Sequence, residues 1–120
     1  MRVVSLESLP EFIAGDHTRL REILHPGKEP FSVGFSLAQA MLPPETWSSL
    51  HMLASSEVYY ILGGRGRMEI DGELRDVAAG DTIYIPPQSR QRILSLGPDN
   101  LEFLCIVDPA WREQDETVLS

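Results

Sequence analysis

The sequence has little of several features that mark specialised classes of protein. It contains a single cysteine, Cys105, so no disulfide can form within the chain and nothing indicates an oxidising compartment. No apolar run approaches the roughly 18 residues of a membrane-spanning helix, and the N-terminus lacks the apolar stretch of a signal peptide. These absences predict a cytoplasmic protein.

Positive charge is also scarce. Ten Lys and Arg residues stand against 18 Asp and Glu residues, for a net charge of −8. Phosphate backbones and anionic lipid headgroups are repelled by such a surface, so we expect neither nucleic acid nor membrane as a partner. The simplest role of this charge is to keep the protein soluble.

The length of 120 residues fits one domain with its own core. We predict an N-terminal arm over 1–30 that packs on a barrel over 31–108, and a loose, polar tail over 109–120. In the arm, residues 6–14 have the pattern of a short helical turn, with Ser8 as the N-cap and Gly15 ending it. A first strand is predicted over 19–25.

Short apolar runs broken by turn residues fill the rest of the chain. The predicted strands are 32–42, 48–53, 58–62, 66–70, 74–77, 82–85, 91–96 and 101–107. Asp71 and Gly72 lie between two of them and form the strongest hairpin signal, because both residue types tolerate positive φ. Regular short strands without helices between them predict an all-β sandwich or barrel.

Alternation along these strands predicts which side chains share a face. On this pattern Gln39 points to the same interior as His51 and Leu53. Apolar residues on the outer face of the last strand, such as Leu104 and Ile106, predict a homodimer contact. The alternative is that the N-terminal segment covers them within one molecule.

Two motif-like segments resemble those of the cupin family, over residues 43–108. The positions that match the first cupin motif are Glu45, His51, Leu53, Glu57 and Gly64. Those that match the second are Gly80, Pro86, Gln88, Gln91 and Ser95. The resemblance implies a double-stranded β-helix, which is a small jelly-roll barrel, with the motif residues meeting at one end of its cavity.

The chain departs from the family pattern where the family binds metal. Cupins that hold a metal typically use two His and one Glu of the first motif and a His of the second; here Leu53 and Gln91 replace two of those histidines. The resemblance still implies a divalent metal (Fe, Mn, Zn or Ni) at His51, Glu57 and Gln91, weakly held because amide oxygen is a poor ligand for such ions. The alternative is a metal-free, hydrogen-bonded polar cluster of the same residues.

Two functions follow from this pattern. The first is a barrel that binds a small organic ligand, with Gln39, Trp47, Tyr59, Phe103 and Cys105 lining the pocket. The aromatic residues and the cysteine have a second interpretation as ordinary core. The other function is a metal-dependent enzyme of the dioxygenase, isomerase or decarboxylase type; a purely structural or partner-binding domain has little direct support. Because the cupin fold hosts many activities, the resemblance does not choose between them.

Overall fold

The protein is built from two antiparallel sheets that pack against each other, in a computed structural model that describes residues 1–120. The strands are β1 (Phe12–Ile13), β2 (Arg19–Leu24), β3 (Ser36–Leu42), β4 (His51–Leu53), β5 (Ser56–Gly63), β6 (Arg65–Ile70), β7 (Glu73–Ala78), β8 (Thr82–Ile85), β9 (Gln91–Ser95), β10 (Leu101–Asp108) and β11 (Glu116–Val118). The larger sheet has the order β1-β2-β3-β10-β5-β8 and the smaller one β11-β4-β9-β6-β7. This arrangement confirms the predicted all-β jelly-roll barrel.

The core lies between the sheets and follows from strict alternation of buried side chains. In β10, Leu101, Phe103, Cys105 and Val107 are buried while the residues between them are not. The ring of Phe103 packs against that of Tyr59 on the neighbouring β5, with ring centroids 4.5 Å apart. Burial of such apolar surface is the main term that favours the folded state.

Most strand positions agree with the sequence predictions, and the differences have local causes. The turn at Asp71 and Gly72 joins β6 to β7 with both residues at positive φ, as predicted. The strand predicted over 48–53 is regular only from His51. Ser48 interrupts the regular pairing, because its backbone N–H donates to the Ile93 carbonyl while its side-chain Oγ accepts from the Ile93 N–H. The strand predicted over 32–42 begins at Ser36.

The helical turn predicted over 6–14 is wrong in extent. A 3₁₀ turn covers Leu6–Ser8 only, so Ser8 ends it and does not cap its start, and the chain then becomes extended. Phe12–Ile13 forms β1, which pairs with the start of β2. Pairing with a sheet edge outweighs the weak local helix signal, since helix propensity is easily overridden by tertiary contacts.

The loose C-terminal tail was also a wrong prediction. Residues Glu116–Val118 form β11, whose partners run from Leu53 to His51 on β4. Strand β4 pairs with β9 along one edge, at His51 and Gln91. Its other edge has free backbone N–H and C=O groups, which an extended segment can satisfy. The tail therefore covers the strand that carries His51.

The outer face of the larger sheet has exposed apolar residues. Tyr60, Leu62 and Tyr84 are exposed there, next to the half-buried Leu104 and Ile106. This face is compatible with the predicted homodimer contact, which stays a prediction. The helices of the structure are two three-residue 3₁₀ turns, and neither could cross a membrane.

Candidate functional site

A cavity of about 370 Å³ opens at one end of the barrel. Nineteen residues line it, and ten of them are hydrophobic. His51 and Leu53 reach it from β4, Glu57 and Tyr59 from β5, and Cys105 from β10. Its mostly apolar wall with a few polar groups at one place is typical of small-molecule sites.

A buried hydrogen-bond chain runs behind the cavity through Gln91. The Tyr59 hydroxyl donates to Gln91 Oε1 at 3.1 Å, and Gln91 Nε2 donates to Glu57 Oε1 at 3.0 Å. Gln91 is 1% exposed and does not line the cavity. Its amide holds Glu57 from behind, while the second carboxyl oxygen of Glu57 has no hydrogen-bond partner within the protein.

His51 is 2% exposed and has a fixed tautomer. Its Nδ1 lies 2.7 Å from the carbonyl oxygen of Ser49, and because a carbonyl can only accept, Nδ1 carries the hydrogen. In the neutral ring Nε2 then keeps its lone pair. The nearest acidic oxygen, Asp16 Oδ2, is 3.7 Å from Nε2, so this nitrogen is left without a hydrogen bond at the cavity wall.

Two acidic residues at the cavity were missed by the sequence prediction. Asp16 is buried and lies in the turn before β2, where its Oδ1 accepts from the backbone N–H and the hydroxyl of Thr18. Glu116 lies on β11. An Asp two residues before a Thr is a signal for an Asx turn, but nothing in either segment indicated proximity to the cupin-like motifs.

Burial and neighbouring carboxyl groups raise the pKa values of Glu57 and Glu116 at the cavity. Burial raises the pKa of Glu57 from 4.5 to about 8, and Asp16 and Glu116 add to this rise, against the lowering effect of the Gln91 hydrogen bond. Burial, with a smaller contribution from Asp16, also raises the pKa of Glu116, while His51 lowers it. Glu57 is therefore mostly protonated near neutral pH in the free protein.

Burial also raises the pKa of the Cys105 thiol and of the Tyr59 hydroxyl, and the nearby Glu57 adds to both. Cys105 is thus a neutral thiol in the wall, without the thiolate character that reactive cysteines need.

Three residues predicted to line the pocket lie elsewhere. Ser36 and Ala38 line the cavity from β3, so Gln39 points to the opposite face of that strand. Trp47 forms a bridge to Leu94 and lies under the guanidinium of Arg92, at 4.3 Å. Phe103 is fully buried in the core behind Tyr59. Of the five predicted lining residues, Tyr59 and Cys105 reach the cavity.

The side chains present do not fit a transition-metal site. His51 Nε2 and the free oxygen of Glu57 face the cavity, but Gln91 turns its amide nitrogen to Glu57 and its oxygen to Tyr59. No group of three or more His, Cys, Asp or Glu side chains is arranged to hold a metal ion. Two donors fall short of the three protein ligands that catalytic zinc sites use.

We predict that Tyr59→Phe destabilises the protein by about 1–3 kcal/mol, because it leaves the buried Gln91 Oε1 without its donor. Urea unfolding monitored by circular dichroism measures this change. Tyr60→Phe is the matched control: Tyr60 is 41% exposed on the outer face, and we expect a change within about 0.5 kcal/mol. Equal effects of the two substitutions would contradict the hydrogen-bond chain.

Comparisons with known proteins agree with this architecture. The family model described as "Cupin domain" (Cupin_2) matches residues 38–107. An uncharacterized protein of Methanocaldococcus jannaschii, MJ1618, is 38% identical over 122 residues, covering 99% of this chain and 97% of its own length.

Two solved structures share the fold at low sequence identity. A predicted oxalate decarboxylase of Thermotoga maritima is 22% identical, with a TM-score of 0.79 over 90% of this chain and 99% of the other. The nucleoside dehydratase Pac13 of Streptomyces is 20% identical, with a TM-score of 0.80 over 99% of this chain and 91% of the other. At such identities the likeness concerns the fold alone.

Proposed function

Because this chain belongs to the Cupin_2 family of cupin domains, whose barrels surround a central cavity, we propose that it binds a small organic molecule there, beside His51 and Glu57. The observation that carries this proposal is the pair of unpartnered polar atoms at the cavity wall, His51 Nε2 and the second oxygen of Glu57. Both side chains are more than nine-tenths buried, so a ligand that bonds to these two atoms of the cavity wall gains affinity from hydrogen bonds formed away from bulk water.

The shape of the ligand follows from the wall. Ala38, Leu53, Tyr59, Cys105 and Val107 offer an apolar surface for the body of the molecule. Its hydrogen-bonding group would lie at His51 and Glu57, where Glu57 as a carboxylic acid donates and His51 Nε2 accepts. A volume of about 370 Å³ falls in the usual range for small-molecule sites.

A dicarboxylate such as oxalate does not suit this cavity. No arginine lines it, and its lysine, Lys28, lies 2.7 Å from Glu22 and is paired with it. Bidentate arginine contacts are the usual means of holding a carboxylate, and here three carboxyl groups face the space instead. The oxalate decarboxylase activity named for one structural neighbour is therefore not proposed for this chain.

The second candidate is a metal-dependent enzyme, with a weakly held divalent ion at His51, Glu57 and Gln91. What supports it is that His51 Nε2 and one Glu57 oxygen already face the same space. It would require the Gln91 amide to turn away from Glu57 and Tyr59. Elemental analysis of protein purified without added metal separates the candidates: stoichiometric Fe, Mn, Zn or Ni that His51→Ala removes would favour the metal.

We expect His51→Ala to abolish ligand binding, because it removes the acceptor at the polar end of the cavity. The measurement is ligand-observed NMR with a fragment library that contains neutral, cationic and anionic molecules, including uridine and oxalate. Glu73→Gln is the control, since Glu73 is an exposed residue of β7 away from the cavity. Fragments that bind His51→Ala as well as the parent protein would place the site elsewhere.

A further inference from the structure

The charges around the cavity are unbalanced. Among its lining residues, Lys28 and Glu22 form an ion pair, with Nζ of the lysine 2.7 Å from Oε1 of the glutamate, so their charges cancel. This leaves Asp16, Glu57 and Glu116 facing one imidazole, His51. These carboxyl groups come from three separate parts of the chain: the turn before β2, strand β5 and the C-terminal strand β11.

The unpaired polar atoms of His51 and Glu57 face the cavity, which distinguishes this place from a solvated acidic surface. His51 and Glu57 are each more than nine-tenths buried. Each has one atom fixed from behind, by the Ser49 carbonyl or by Gln91, and one atom without a partner at the wall. Asp16 is also buried, and the bonds from Thr18 hold its Oδ1 and leave its Oδ2 3.7 Å from His51 Nε2.

Aromatic rings complete the wall. Phe12 comes from β1, Tyr59 from β5, and Trp111 precedes β11. Faces of aromatic rings attract organic cations, and buried carboxylates attract them more strongly because the local dielectric constant is low. Anions are repelled by the same groups, and a small inorganic cation would leave the apolar part of the wall unused.

We propose that the ligand of this cavity is an organic cation, a small amine whose ammonium group lies among Asp16, Glu57 and Glu116 and whose carbon skeleton packs on the apolar and aromatic wall. This inference rests on the proposed function and specifies its ligand class. The ammonium group donates to the carboxylate oxygens of Asp16 and Glu116, and its positive charge also favours the ionised form of Glu57 beside them.

The test uses matched probes that differ only in the head group. Benzylamine, benzyl alcohol and benzoate form one set; isobutylamine, isobutanol and isobutyrate form a second with a smaller body. Calorimetry measures their affinities for the full chain, with calcium and zinc chloride as inorganic cations. We expect the better amine to bind at least about tenfold more tightly than its alcohol, and its carboxylate to bind more weakly than both.

Two substitutions locate the charge that acts. Asp16→Asn keeps the acceptor for Thr18 and removes the negative charge. Glu116→Gln removes the negative charge on β11. Each should reduce amine affinity about tenfold while leaving alcohol affinity within about twofold. Glu73→Gln, which removes an equal charge far from the cavity, should change neither affinity. The retained alcohol affinity reports that the variants are folded.

The outcomes distinguish failure of the organic-cation proposal from failure of the proposed small-molecule binding. Equal binding of amine and alcohol, lost in His51→Ala, overturns the cation and keeps the organic-ligand site. Binding of calcium or zinc at the cavity in preference to both amines overturns the organic cation. Failure of every organic probe to bind, or binding that His51→Ala leaves intact, overturns the proposed function and the inference together.

Discussion

The free energy of unfolding is expected to fall as the pH rises from about 4.5 to about 8, because Glu57 is more easily protonated in the folded state than in the unfolded one. A group with a raised folded-state pKa contributes its stability fully below the unfolded pKa and loses it as the pH rises through the folded value. At 1.36 kcal/mol per unit, a shift from 4.5 to about 8 corresponds to a loss of about 5 kcal/mol.

The variant Glu57→Gln isolates this effect. It keeps an acceptor for Gln91 Nε2 but cannot ionise, so its stability should change much less over the same pH range and exceed that of the parent at the alkaline end. The groups that face Glu57 from other elements remain in both proteins: Asp16, His51, Cys105 and Glu116. Urea denaturation at a series of pH values measures both proteins. Parallel pH profiles would show that Glu57 is not the buried acid described above.

The second large effect is a gain of metal binding. The double variant Leu53→His, Gln91→His places imidazoles at the two positions where metal-binding members of the family have them. Leu53 lines the cavity beside His51, and Gln91 pairs with His51 across β4 and β9 and contacts Glu57. We expect zinc or nickel affinity to rise by at least about 100-fold, since imidazole suits both ions.

The control for this gain is Leu53→Gln, which adds a polar side chain at the same position without an imidazole. Metal affinity measured by chelator competition, with metal content of the dialysed protein, compares the parent, the control and the double variant. If the double variant binds zinc no better than the parent, imidazoles at positions 53 and 91 cannot reach the ion that His51 and Glu57 would share.

The sequence was sufficient for the fold and for the proximity of three residues from separate strands. Alternation within β4, β5 and β9 depends only on local strand geometry, and the turn at Asp71 and Gly72 is determined by residue type. His51, Glu57 and Gln91 therefore come together as expected, although Gln91 lies behind the cavity. The error for Gln39 lay in the choice of the inner face: β3 is a regular strand, and Ser36 and Ala38 are the residues that line the cavity from it.

The two ends of the chain were not predictable in the same way. Asp16 reaches the cavity because β1 and β2 add to the edge of the larger sheet, and Glu116 because β11 adds to β4. Edge pairing between segments far apart in sequence leaves no local pattern, since almost any extended, partly apolar segment can satisfy a free edge. The acidic character of the site, on which the ligand class depends, came from these two segments.

The most direct test of the account is a crystal structure of the protein with the tightest-binding probe from the matched sets. We expect density for that probe inside the cavity, with its head group within hydrogen-bond distance of Glu57 and Asp16 and its body against Tyr59. A metal ion bound by His51 and Glu57, or a probe bound outside the barrel, would contradict it.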